Sequence, residues 1–183
     1  MKKYEFTGET KQVGFFGNIT LKRIRATMEF GIIKIGDLGG WIEKEENLSH
    51  KGDAWVWGNA EVYGDAEVYG DAEVYGNAEV WGNAKVWGNA KVWGNAKVWG
   101  NAEVFSISHV LVVGPIGSRN DFTTFFRDKD SEITVKCGCF LGKIDKFLEK
   151  VCETHGDSKY AIVYRTAAEI AKQQIDLSEE KQL

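Results

Sequence analysis

The sequence predicts a mainly β protein in which a solenoid of short stacked strands stands between a small N-terminal β cap and a C-terminal α+β domain. Three observations carry this. Glycine recurs at 52, 58, 64, 70, 76, 82, 88, 94 and 100, one every sixth residue. Each unit between these glycines reads Ala-x-Val-aromatic and ends in a Gly-Asn or Gly-Asp corner. After Phe105 the period stops, and apolar strands followed by helical spacings take over.

The N-terminal segment, 1–45, reads as a β module. "KYEFTGET", "ITLKRIRATMEF" and "IIKIGDLGGWIE" alternate or are rich in β-formers, with "FFGN" and "GDLGG" as turns. Its expected role is to cover the open end of the solenoid, because a bare edge invites aggregation.

The repeat fills 46–110. Strand alternation places Ala and Val on one side and the charged residue and aromatic on the other. Gly-Asn and Gly-Asp tolerate the positive φ of sharp corners. A meander of hairpins with two-residue turns is rejected. The residues flanking each turn would share a face, which sets an aromatic beside the next Ala and leaves no face consistently apolar. A solenoid bends every unit the same way and turns every Ala and Val inward. Six-residue sides closing a triangle predict 18 residues per coil. Ile42 and Leu48 then fall in the Ala row and Val110 in the Val row, adding half a coil at each end.

Stacking at that interval orders the position before Val into columns: Trp55-Glu73-Lys91, Glu61-Glu79-Lys97 and Glu67-Lys85-Glu103. The change from Glu to Lys at residue 85 thus reads as pairing between neighbouring coils, ~4.8 Å apart, although exposed pairs of this kind contribute little. The aromatics form the columns Trp57-Tyr75-Trp93, Tyr63-Trp81-Trp99 and Tyr69-Trp87-Phe105. Two roles compete for them: ladders that stabilise stacked strands, or apolar faces that pack against further copies of the chain. The second predicts a homo-oligomer, a trimer, with Trp57, Tyr75, Trp81, Trp93 and Trp99 at the interface.

V-x-G-N-A-x resembles the hexapeptide repeat of left-handed parallel β-helix proteins. That resemblance implies the three-sided coil and its left hand, against the usual right-handed crossover. The lead-in "GDLGGWIEKEENLSHKGDAWV" and the stretches "GPIGSRNDFTTFFR", "VKCGCFLGKIDKFLEKV" and "ETHGD" resemble phage and prophage proteins that join such repeats to a C-terminal domain. The resemblance implies architecture more than activity. A role in sequestering nucleotide signals made by host defences follows only by analogy with viral proteins of other folds.

Two enzyme groups share this kind of repeat, the acyltransferases and the γ-class carbonic anhydrases, and both resemblances imply histidines near the coils. Only His50, His109 and His155 occur, and the first two bracket the repeat. They stand too far apart to share one zinc. Residues 51–105 contain no His, Cys, Ser or Thr, so the coils are expected to be non-catalytic.

The 183-residue chain carries net charge −4, with four Lys or Arg against eight Asp or Glu in 51–105. No basic stripe is present for an extended nucleic acid, and no run of ~18 apolar residues for a membrane span. The N-terminus lacks a signal-peptide pattern. Three cysteines, Cys137, Cys139 and Cys152, suit a reducing compartment. The expected location is the cytoplasm, that of a bacterial host if the protein is phage-borne.

Residues 111–183 form the predicted α+β domain. "SHVLVVG" reads as a buried strand, and "DFTTFFRD" and "EITVKCGCF" as further strands. Ile144, Phe147, Leu148, Val151 and Cys152 fit a helix stripe closed by His155-Gly156. "SKYAIVYRTAAEIAKQQI" reads as a second helix with Asp157 or Ser158 as cap. The loop "GPIGSRND" carries the strongest chemical signal. Its glycines allow close approach and a nest of N–H groups, and Ser118, Arg119 and Asn120 supply a hydroxyl, a bidentate fork and an amide. With Thr123, Thr124 and Arg127 these residues make a candidate site for a small anionic, nucleotide-like ligand. The G-K-[ST] ending of a Walker loop is absent. The alternative is a tight loop whose polar residues serve its own turns. Cys137, Cys139, Cys152 and His155 make only a weak metal or thiol pattern, and burial as small apolar residues is expected for the cysteines. No cofactor is expected.

Overall fold

The structure is a computed structural model that describes residues 2–14 and 16–178. Its strands are β1 (Tyr4–Val13), β2 (Ile19–Ala26), β3 (Leu38–Ile42), β4 (Trp55–Val56), β5 (Glu61–Val62), β6 (Glu67–Val68), β7 (Glu73–Val74), β8 (Glu79–Val80), β9 (Lys85–Val86), β10 (Lys91–Val92), β11 (Lys97–Val98), β12 (Glu103–Val104), β13 (Val110–Ile116), β14 (Asp121–Arg127), β15 (Ile133–Cys137) and β16 (Phe140–Lys143). Two helices follow, α1 (Ile144–His155) and α2 (Lys159–Gln174). The predicted "FFGN" turn includes Phe15, which lies outside the described residues.

The repeat builds a β-solenoid of about four turns with parallel sheets. Strands pair as β3-β5-β8-β11, β4-β7-β10 and β6-β9-β12. The register sets Glu61 beside Glu79 and Val62 beside Val80. The Ala and Val of every hexad from Ala54 to Val104 are buried. Fully burying a valine stabilises the fold by ~1.5 kcal/mol or more. The corners turn on glycine: Gly52 has φ +69, and a Cβ there would stand 2.4 Å from the Gly70 carbonyl oxygen above it. Polar side chains stack at the corners too. Asn59 donates to Asn77 at 3.3 Å, Asn77 to Asn95 at 3.2 Å and Asn83 to Asn101 at 3.3 Å. Sequence reading credited these residues only with tolerance of the bend.

The half coils differ from expectation. Ile42 and Leu48 are fully buried, but they stand beside Val62 and Val68, in the Val row. The lead-in is thus two residues longer than the repeat, and these larger side chains take the roomier position. Val110 is buried, but a 3₁₀ turn, Ile107–His109, precedes it, and it pairs antiparallel with Phe126 instead of extending the coil.

The N–H groups on either side of each Val donate toward the next coil, as Glu61 N does to Ala78 O and Tyr63 N to Val80 O. The Gly and Ala carbonyls of the first coil therefore face the N-terminal end, the N–H groups flanking Val in the last coil face the C-terminal end, and each set is met by its complement. At the first, Lys3 Nζ donates to Ala54 O at 2.7 Å and Gly52 O at 3.2 Å. Asn47 Nδ2 donates to Ala66 O at 2.8 Å and Gly64 O at 3.1 Å. At the second, Lys97 N donates to Thr124 Oγ1 at 3.0 Å and Phe105 N to His109 Nδ1 at 3.3 Å. The antiparallel strands β1 and β2 extend the β3 sheet beyond the coils.

The C-terminal sheet runs β13-β14-β15-β16, antiparallel throughout. The predicted "EITVKCGCF" strand is a hairpin, because Gly138 turns at φ +54 between β15 and β16. One face of the sheet sends Phe126 into the solenoid core. The other buries Phe125 and Val135 against Phe147, Tyr164 and Ala168 of the helices. Asp128 fastens the sheet to the last coil through a bridge with Ala102. Burial works against its charge, but bonds from Lys143, Thr134 and the N–H groups of Asp130 and Glu132 hold its carboxyl below the usual range. Helix α2 begins at a Ser158 cap, one of the two residues the sequence offers.

Candidate functional site

Two hairpin tips build the site. Between β13 and β14, Gly117 (φ +73) and Asn120 (φ +51) make a tight turn closed by Asn120 N donating to Gly117 O at 3.3 Å. Gly117 is required there, since a Cβ would fall 1.9 Å from the Tyr164 hydroxyl. Between β15 and β16 the turn is Cys137-Gly138-Cys139. The tips lie together: a Cβ on Gly138 would stand 2.8 Å from Arg119 Nη1.

A cavity of about 330 Å³ opens between these tips and the helices. Ser118, Arg119 and Asp121 line it from the first hairpin, and Cys137, Cys139 and Phe140 from the second. Helix α1 contributes Phe147, Lys150, Val151, Thr154 and His155, which share one face by helical spacing, and α2 contributes Tyr164. Phe147 and Tyr164 are buried in the floor. Among the described residues the Arg119 guanidinium has no hydrogen bond or ion pair, while Lys150 pairs with Glu153 at 3.1 Å. Burial raises the Tyr164 phenol above its ordinary value and the nearby Cys137 thiol adds to this; Ser118 opposes it through side chain and backbone. Behind the second tip, Lys136 is buried, donates to Gly138 O and stands 4.2 Å from the centre of the Trp99 ring. Desolvation, then Lys97, lowers its pKa.

The six residues singled out from sequence are not all brought together. Ser118 and Arg119 face the cavity. Asn120 holds the turn. Thr123 is buried and its hydroxyl donates to Cys137 Sγ at 3.2 Å. Thr124 caps the solenoid, as strand alternation directs it to the opposite face. Arg127 is buried over the Phe105 ring at 4.8 Å, donates to Ser131 Oγ at 2.7 Å and approaches Glu103 at 3.9 Å. Lys150, Thr154 and Tyr164 went unnoticed in sequence, although 147, 150, 151 and 154 fall on one helix face.

The cysteines depart from the expected burial. Cys139 and Cys152 are exposed and Cys137 is half-buried. Gly138 lifts Cys139 to the hairpin tip, and the inward stripe of α1 is Ile144, Phe147 and Val151, leaving Cys152 on its flank. Among the described residues no group of three His, Cys, Asp or Glu is arranged to hold a metal ion. His50 and His109 lie at opposite ends of the coils, each accepting a backbone N–H, from Lys3 and Phe105.

Trp57, Tyr75, Trp81, Trp93 and Trp99 are each half-buried. Ring contacts run along the columns, stacked at 5.4 Å between centres for Tyr63–Trp81 and 6.3 Å for Tyr75–Trp93, and edge-on at 3.8 Å for Trp81–Trp99. More exposed apolar side chains stand elsewhere, with Ile32 80% exposed in the N-terminal segment and Ile162 58% exposed on α2.

Among the described residues no helix is long and apolar enough to cross a membrane. A scan against protein-family models gives no match, and a search of curated proteins gives none.

Proposed function

We propose that this is a non-catalytic binding protein of the phage type, whose solenoid is a stalk and oligomerisation core and whose C-terminal cavity takes a small anionic ligand. In this reading the coil is left-handed and three-sided, with the 18-residue interval of its corner ladders as its period. The chain forms a cytoplasmic homotrimer through its aromatic columns, and binding sequesters a host signal. The observation that carries the ligand reading is Arg119, a guanidinium with no partner among the described residues, at the mouth of a cavity that Ser118, Lys150 and His155 also line. An unpaired fork at a concave site suits a carboxylate or phosphate. A scaffold role without ligand draws support from the capped, laddered coils, which are self-sufficient as a column.

Thermal shift against phosphate-bearing compounds tests the ligand reading. A ligand at about 100 times its Kd stabilises by ~2.7 kcal/mol, and Arg119→Ala should remove the shift while leaving the unliganded midpoint in place. If no such compound stabilises the wild type, the scaffold reading stands alone. Light scattering reports the subunit count.

A further inference from the structure

We infer that the cavity selects a ligand made of one flat ring joined to one anionic group, the size of a nucleoside monophosphate; this rests on the ligand reading above. The argument begins with the division of the lining. Four rings form an unbroken arc. Phe140 and Phe147 lie 5.5 Å apart, Phe147 meets Tyr164 edge-on at 5.7 Å, and Tyr164 meets His155 at 5.7 Å, tilted by 32°. All four line the cavity. Such an arc presents π-faces and edges to an inserted ring, which aromatic side chains accept in stacked or edge-on geometry.

Helix α1 adds Lys150 and Thr154 to the polar lining, and the guanidinium stands on the hairpin side. Arg119 and Ser118 sit on consecutive residues of one tip, beside the Gly138 turn of the other. A ligand with its ring on the arc would place its anionic group at Arg119. Phosphate alone would leave the arc unused, and an uncharged ring would leave the guanidinium unpaired. Size sets the upper limit. About 330 Å³ lies near the lower end of the ~300–1,000 Å³ usual for ligand sites, so a single ring with one phosphate fits where a dinucleotide does not.

The cysteines supply a direct readout. Cys139 is exposed and lines the cavity, whereas Cys152 is exposed on α1 outside the lining. An occupant should slow alkylation of Cys139 and leave Cys152 unchanged, read residue by residue by mass spectrometry on the full-length protein. The probes are nucleoside monophosphates, the matching nucleosides, inorganic phosphate, an aromatic carboxylate and cyclic dinucleotides. The expected result is protection of Cys139 by a monophosphate at concentrations where nucleoside and phosphate do nothing. Arg119→Ala should weaken that protection about tenfold or more, as loss of a charged hydrogen-bond partner does. Phe140→Leu should reduce the preference for monophosphate over inorganic phosphate. Equal protection by the aromatic carboxylate supports the ring-plus-anion class and identifies its source as other than a nucleotide. Protection by dinucleotides alone, or by inorganic phosphate as well as by monophosphate, overturns this inference and leaves the anionic-ligand reading intact. If no anion protects Cys139 or stabilises the protein, both fall.

Discussion

The two ends of the solenoid face opposite chemical problems. The Gly and Ala carbonyls of each coil accept from the coil before it and the N–H groups flanking each Val donate to the coil after it, so these carbonyls are left bare at one end and these amides at the other. The N-terminal end is closed by donors, Lys3 from the start of the chain and Asn47 from the lead-in, each bonded to two carbonyls. The C-terminal end is closed by acceptors, Thr124 and His109, each receiving one N–H. A repeat can extend by copying itself, but it cannot end by copying itself. The residues that stop it must differ in kind, and they differ between the ends because carbonyls are left over at one and amides at the other.

The largest expected effect comes from breaking the two caps unequally. Asn47 is fully buried, and besides its two donations it accepts from Lys44 N at 2.9 Å. Asn47→Ala strands several buried polar groups and should cost roughly 2–4 kcal/mol, at ~1–3 kcal/mol for each group left unsatisfied. Thr124→Val keeps the shape and strands one N–H, for roughly 1–2 kcal/mol. Urea denaturation of both variants measures the difference. Equal losses would mean that something other than the number of polar groups met sets the strength of each cap.

A smaller effect separates the ends by pH. Lys3 is buried, and desolvation lowers its pKa to about 8 against the opposing pull of Asp53 and Asp71. Between about 8 and its ordinary 10.5 the unfolded chain binds more protons at this site than the folded one, so stability rises with pH across that window. Thr124, at the other end, carries no group that titrates in this range. The wild type should therefore gain on Lys3→Met as pH climbs from 8 toward 10. Taking the difference between the two proteins cancels Tyr4 and Tyr63, whose buried phenols titrate above their ordinary value in both. A flat difference would mean that the Lys3 ammonium is solvated in the folded state.

The same contrast separates what was legible in sequence from what was not. The coils were readable because one local rule, Ala and Val inward and Gly at the corner, is applied in hexad after hexad, so an error in one unit is corrected by the next. The caps obey no local rule. Lys3 and Ala54 are 51 residues apart, and nothing near Lys3 marks it as a plug. Thr124 looked like a ligand residue because its neighbours do, yet strand alternation turns it away from them. The cavity is intermediate. Its hairpin half announced itself through Gly117, Ser118 and Arg119, while the helical half merged into a stripe read as core. Phe147 and Val151 do belong to that core, and only the fold reveals that Lys150, Thr154 and His155 stand at its edge.

The smallest effect tests how the cap joins the charge ladders. Lys91 pairs with Glu73 and Lys97 with Glu79, each at 2.9 Å, and Lys85 lies 3.9 Å from Glu67. One neighbouring pair in the register has like charges, Glu61 beside Glu79, and like charges directly opposite on a sheet are destabilising. Glu79 is relieved by the coil beyond it. Glu61 is relieved by the cap: Lys11 of β1 reaches it at 2.8 Å and also stands 4.6 Å from the centre of the Trp41 ring. Lys11→Ala should therefore cost a few tenths of a kcal/mol at low salt, in the range of exposed ion pairs, and less at 1 M salt, where the Debye length falls to ~3 Å. Glu61→Gln removes the repulsion at its source and should make the Lys11 substitution nearly neutral. A double-mutant cycle on Lys11 and Glu61 at two salt concentrations reads this coupling. A loss on Lys11→Ala that persists unchanged at high salt and in the Glu61→Gln background would assign the role of Lys11 to packing on Trp41, leaving the like-charged neighbours for solvent alone to screen.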